Sequence, residues 1–128
     1  MNRRRFLAAL ALLACSVSVS VGVASPPRKP VAHSVVIEGM QFKPATLDIR
    51  AGDSVTWVNK DVVEHTATAA ASAKQPFDSG LIRGGQTWKR TFTDVGALDY
   101  LCTYHPTMKG VLNVAASSRS RVPSVTEN

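Results

Sequence analysis

Cys102, His105 and Met108 stand at C-x-x-H-x-x-M spacing in the run Cys102-Thr103-Tyr104-His105-Pro106-Thr107-Met108. A thiolate, an imidazole and a thioether so close together form a soft donor set, suited to holding a metal and not to hydrolysis. One further imidazole would complete two histidines and a cysteine in a plane with a weak axial methionine, the arrangement copper uses in electron transfer. The chain has 3 histidines, so the missing donor is His33 or His65. A lone cysteine or methionine is more often a core residue. Three donors in one short loop bounded by Gly110 override that reading.

The elements that must position this loop read as strands. Val35 to Ile37 is β-branched, and Leu47 and Ile49 alternate with polar neighbours up to the turn at Ala51-Gly52-Asp53. In Ser54 to Asn59, Val55 and Trp57 share one face, and Asn59-Lys60-Asp61 ends the strand in turn chemistry. His65 to Thr68 is strand-like, the small-residue run from Ala69 to Lys74 has no period, and Phe77 to Ile82 leads to a turn at Gly84-Gly85. Thr87 to Thr93 alternates through Trp88, Arg90 and Phe92. Leu98, Tyr100 and Cys102 share a face on the strand that delivers the donor loop, and Val111 to Val114 closes the set. The pattern predicts an all-β fold, an antiparallel Greek-key β-sandwich of seven to eight strands. His65 opens a strand after an exposed loop and can enter the same end as Cys102, whereas His33, beside the linker, is expected in solvent. Trp57 and Trp88 read as core or half-exposed strand residues, and Glu64 as an exposed loop acid.

Composition narrows the classes of function. At 128 residues the chain holds one domain of roughly 100 residues. Arg3, Arg4 and Arg5 belong to a leader, and removing those three from 15 basic residues leaves 12 against 9 acidic ones, scattered along the chain. That balance gives no footprint for nucleic acid. Met1 to Arg5 is a basic n-region, Phe6 to Ala14 an apolar run and Gly22-Val23-Ala24 a small-residue cleavage site, so residues 1–24 read as a cleavable export signal of the Sec or twin-arginine kind. The apolar run is too short for a stable membrane span. An alternative processing at Leu12-Leu13-Ala14-Cys15 would leave the protein lipid-anchored through Cys15. Residues 25–32 read as a proline-rich linker, 33–115 as the domain and 116–128 as a flexible polar tail. With Cys15 in the leader, Cys102 is the one thiol of the mature domain, and metal coordination would protect it in an oxidising compartment.

The run Gly52-Asp53-Ser54-Val55-Thr56-Trp57-Val58-Asn59, with His65-Thr66, Phe77-Asp78-Ser79-Gly80, Tyr100-Leu101-Cys102 and His105-Pro106-x-Met108-x-Gly110, resembles the cupredoxins. Within them it is most similar to the amicyanin and pseudoazurin-like group, and the short gap from His105 to Met108 is amicyanin-like. The resemblance implies one type 1 copper ion held by His65, Cys102 and His105, with Met108 as the long axial ligand. It implies a periplasmic, monomeric carrier of single electrons by Cu(I)/Cu(II) cycling, with the exposed edge of His105, beside Pro106 and Met40, facing redox protein partners such as a c-type cytochrome or a quinoprotein amine dehydrogenase. A copper-delivery protein that does no redox cycling is the alternative. A copper enzyme would need a second metal centre, for which His33 alone remains. The chain departs from the family at Thr66, where many relatives carry asparagine to tie the ligand strand to the loop, and at Leu98, where an aromatic is frequent.

Overall fold

A computed structural model describes residues 26–117, so the leader, Cys15 and the last residues of the tail lie outside the described part. Eight strands follow in order: β1 (Ala32–Ile37), β2 (Phe42–Lys43), β3 (Thr46–Arg50), β4 (Ser54–Asn59), β5 (Thr68–Ala69), β6 (Thr87–Thr91), β7 (Gly96–Leu101) and β8 (Lys109–Ala115). They form two four-stranded sheets, in the order β2-β1-β4-β6 and β3-β8-β7-β5. The chain crosses repeatedly between the sheets, as a Greek-key sandwich requires. No described helix is long and apolar enough to cross a membrane.

Two pairings correct the expectation of a purely antiparallel sandwich. β1 runs parallel to β4, with Ala32 opposite Ser54 and Ile37 opposite Asn59, and β3 runs parallel to β8. Period-two alternation reports which face of a strand is buried and is silent on the direction of its neighbour. The segment from Phe77 to Ile82 makes only isolated bridges, Ile82 to His65 and Asp78 to Thr68. Its backbone is held partly by side chains: Ser79 Oγ accepts from the Ala67 N–H at 2.8 Å and Asp78 Oδ1 from the Gly80 N–H at 2.9 Å.

Between the sheets, Val55 and Trp57 of β4 meet Leu98 and Tyr100 of β7 and Leu112 and Val114 of β8, all buried as their alternation predicts. Trp57 is the hub of an aromatic cluster, with ring centroids 5.6 Å from Tyr100, 5.2 Å from the half-buried Trp88 and 6.2 Å from Phe92. Such rings bury large apolar areas and their edge-to-face contacts add about 0.5–1.5 kcal/mol per pair.

At the end of the sandwich where β1 and β4 begin, Asp53 is 2% exposed. Its carboxylate accepts from Arg28 Nη2 at 2.6 Å, the Val31 N–H at 2.9 Å, the Arg50 N–H at 3.1 Å and lies 2.9 Å from His33 Nε2. His33 is thus half-buried and bound to Asp53 instead of sitting in solvent, because the parallel pairing lays it beside Val55. Burial pushes the Asp53 carboxyl up, but the bonds from Val31, His33, Arg50 and Arg28 outweigh it and hold the group well below the usual carboxylate range. With the folded value below the unfolded value of about 3.9, this stabilisation is complete above about pH 4 and is lost as pH falls through the folded value. Asp53→Asn should therefore cost about 2–4 kcal/mol near neutrality. Its urea midpoint should also fall less steeply on acidification than that of the parent protein. Parallel midpoint-against-pH curves for the two proteins would contradict this assignment.

Candidate metal centre

The opposite end of the sandwich is organised by Asn59, the fully buried last residue of β4. Its Nδ2 donates to the carbonyls of Val63 and Ile82, both at 2.8 Å, and its Oδ1 accepts from the Asp61 N–H at 2.9 Å. A buried amide satisfied in this way fixes the course of the loop from Lys60 to Glu64. His65 emerges from that loop fully buried, its backbone bridged to Ile82 by bonds of 3.1 and 2.8 Å.

Asp61 orients the His65 ring. Its Oδ2 lies 2.9 Å from His65 Nε2, while the carboxylate also accepts from the Gly39 N–H at 2.7 Å and the Met40 N–H at 3.0 Å. Both of those residues take left-handed backbone, φ 63° and 60°, which in Met40 is unusual for a side-chain-bearing residue and is held by this contact. The Met40 N–H leads in holding the Asp61 carboxyl below its usual range, against the effect of burial, with Gly39 and His65 adding to it. An ionised carboxylate can only accept, so the His65 proton resides on Nε2 and the Nδ1 lone pair is free to bind.

The loop after β7 is folded by its own backbone. The Cys102 N–H donates to the Met108 carbonyl at 3.1 Å, the His105 N–H to the Cys102 carbonyl at 3.2 Å and the Met108 N–H to the His105 carbonyl at 2.8 Å. This brings Cys102 Sγ to 3.6 Å from His105 Nδ1 and 3.8 Å from His65 Nδ1. Among the described residues, His65, Cys102 and His105 form a cluster of potential ligands whose donor atoms all lie within 4.8 Å of one another. A first-row metal bonded to imidazole nitrogen and thiolate sulfur at about 2.0–2.3 Å spans donors roughly 3.5–4 Å apart in a trigonal plane. The residues present therefore fit such an ion. Cys102 is fully buried, Met108 is buried in the same apolar cluster and His105 is half-buried, so the donor cluster is shut off from solvent except beside one ring. The thiol sulfur also accepts from the Thr66 N–H at 3.3 Å.

Thr66 keeps the tie between ligand strand and loop: its Oγ1 accepts from the Thr103 N–H at 2.9 Å. Leu98, the other departure, is an ordinary core residue. Glu64 stays out of the site and pairs with Arg83 Nε at 3.1 Å in solvent. His33 lies at the far end of β1 from Asn59 and is not part of the cluster. The residue that sequence reasoning missed is Asp61, taken for turn chemistry. An acid four positions before the histidine was its one local signal, and the contacts from Gly39 and Met40 that complete its role come from another hairpin.

These features define a metal-binding, all-β sandwich of the cupredoxin class. The family model for copper-binding proteins of the plastocyanin/azurin family matches residues 30–115, and the chain belongs to that family. It is 31% identical to amicyanin-alpha of Methylorubrum extorquens AM1 over 86% of this chain and 96% of that protein, and 30% identical to the amicyanin of Paracoccus denitrificans over 66% and 72%. Among solved structures it is similar to the copper(I) form of an amicyanin variant, with a TM-score of 0.61 at 30% identity over 65% of this chain and 81% of that one. The cofactor is copper, and the work of the chain is electron transfer through it rather than catalysis.

Proposed function

We propose that this protein is a periplasmic carrier of single electrons, with His65, Cys102 and His105 as the strong copper ligands and Met108 as the weak axial one. Copper supplies a one-electron Cu(II)/Cu(I) couple at such a site. The observation that carries the reading is the convergence of His65 Nδ1 and His105 Nδ1 on Cys102 Sγ, at 3.8 and 3.6 Å. That convergence exists in the protein fold itself, so His65 and the loop need little rearrangement to serve either oxidation state. Asp61 holds the His65 ring, the Thr66 N–H takes up part of the thiolate charge, and the apolar surroundings keep water away.

His105 is the exit for the electron. Met40, Val62, Val63, Leu81 and Tyr104 are exposed, with Val62 at 97% and Tyr104 at 62%. All five belong to the metal loop or to segments bonded to Asp61, Asn59 or His65. An apolar face of this kind suits brief encounters with a redox protein partner through a small contact area.

In the copper(II) protein an intense visible thiolate-to-copper band is expected, and Cys102→Ser should abolish it while the fold persists. A parent protein that binds copper(II) without colour would refute the proposal. Met108→Gln should keep the copper and lower the midpoint potential, and an unmoved potential would argue against an axial Met108. His33→Ala should leave the spectrum as it is.

A further inference from the structure

Asp61 is gripped by a turn that carries a conformational cost. Gly39 and Met40 lie between β1 and β2, where the Glu38 N–H closes the turn on the Gln41 carbonyl at 3.1 Å. Both residues take left-handed backbone, φ 63° and 60°. Glycine adopts it at no steric cost, whereas a residue with a β-carbon does so only where something holds it. Successive N–H groups presented by such a turn make a concave anion site. Here they close on one carboxylate, Gly39 donating to Asp61 Oδ1 at 2.7 Å and Met40 to Oδ2 at 3.0 Å. A β-carbon added at Gly39 would meet no atom within 4 Å, so a substitution there acts through the backbone alone.

The oxygen that accepts from Met40 also serves His65, whose Nε2 lies 2.9 Å from Oδ2. Every proton in this set has one possible owner. Two backbone N–H groups and the imidazole N–H can only donate, and the ionised carboxylate can only accept. Each donor draws charge from the carboxylate and leaves it a poorer acceptor for the others. The same effect lets the Met40 N–H lead in holding the Asp61 carboxyl below its usual range. The firmness of the turn therefore sets how strongly Asp61 polarises the His65 ring. A ring drawn towards imidazolate is the stronger ligand and favours the more highly charged copper(II) form.

We propose that the Gly39–Met40 turn competes with His65 for the Asp61 carboxylate and so holds the potential of the copper site above the value that Asp61 and His65 would set without it. The inference rests on the ligand assignment proposed above. Gly39 and Met40 act through Asp61 and are positioning residues. Loosening the turn should lower the potential, and firming it should raise the potential.

The test is a redox titration of copper-loaded Gly39→Ala, Met40→Gly and Met40→Leu, each repeated on an Asp61→Ala background. The His65 Nε2 proton is followed by NMR in the copper-free proteins. Gly39→Ala puts a β-carbon on left-handed backbone and loosens the turn. Its equilibrium constant for reduction should fall about twofold to fivefold, roughly 20–40 mV at 59 mV per tenfold. The Nε2 proton should move downfield as its bond to Asp61 tightens. Met40→Gly removes the cost that Met40 bears, firms the turn and should shift both readouts the opposite way. Met40→Leu keeps the β-carbon and should match the parent. On the Asp61→Ala background all of these shifts should vanish. Shifts of the same sign in Gly39→Ala and Met40→Gly would mean that the turn only holds Asp61 in place, and would overturn the proposal. Shifts that persist without the carboxylate would overturn it too, as would unmoved potentials whatever the Nε2 resonance does. A colourless copper(II) parent would count against the ligand assignment instead. The copper-free resonances would then still decide the competition, opposite shifts upholding it and equal or absent ones refuting it.

Discussion

Gly110→Ala is expected to destabilise the protein by about 3 kcal/mol, lowering the thermal midpoint by ~10–20 °C for a domain of this size. Gly110 sits in β8 opposite Tyr100 of β7, and the Tyr100 ring lies across the space where a β-carbon would project. A methyl there would overlap Cζ and the hydroxyl of Tyr100. The ring cannot retreat, since it packs 4.7 Å from Phe42 and 5.6 Å from Trp57 between centroids. Burial of the same group pushes the Tyr100 hydroxyl up to about 12. The strain falls on the two strands that bracket the copper loop, Cys102 just past β7 and Met108 just before β8, so broadening of the copper spectrum should accompany the loss of stability. A melting temperature within 3 °C of the parent, by calorimetry, would show that Tyr100 has an alternative position.

Asp61→Ala is expected to weaken copper binding by about 10–100-fold, the usual effect of removing the partner that orients a ligating histidine. The variant frees the His65 ring to rotate and lets the proton move to Nδ1, the nitrogen that faces Cys102. It also removes the acceptor for the Gly39 and Met40 N–H groups, so the left-handed turn at Met40 should loosen with it. Asp61→Asn keeps an acceptor oxygen and should fall between the two. Competition against a chelator measures the affinity directly. An unchanged affinity in Asp61→Ala would mean that packing alone fixes the ring.

Both variants locate the boundary between what is local and what is not. Cys102, His105 and Met108 were legible because a loop folds on its own short span, and their spacing limits how far apart the donors can be. The buried faces of β4 and β7 were legible for the same reason: alternation records the environment of each residue in turn. Asn59 and Asp61 carry the same residue types as any turn, and nothing in their spacing separates a loop organiser from solvated polar residues.

By itself, then, the sequence determined the all-β class, the buried face of the strands and three of the four candidate donors, and it favoured His65 over His33 for the fourth from its place after an exposed loop, as the resemblance to the cupredoxins also implied. Only the tertiary structure decided how that choice is realised. His33 and His65 both open strand-like segments, and the parallel register of β1 on β4 sends His33 to Asp53 at one end while Asn59 and Asp61 hold His65 at the other. Strand direction, register and the end of the sandwich at which a side chain arrives depend on pairing between distant segments, which no local pattern encodes.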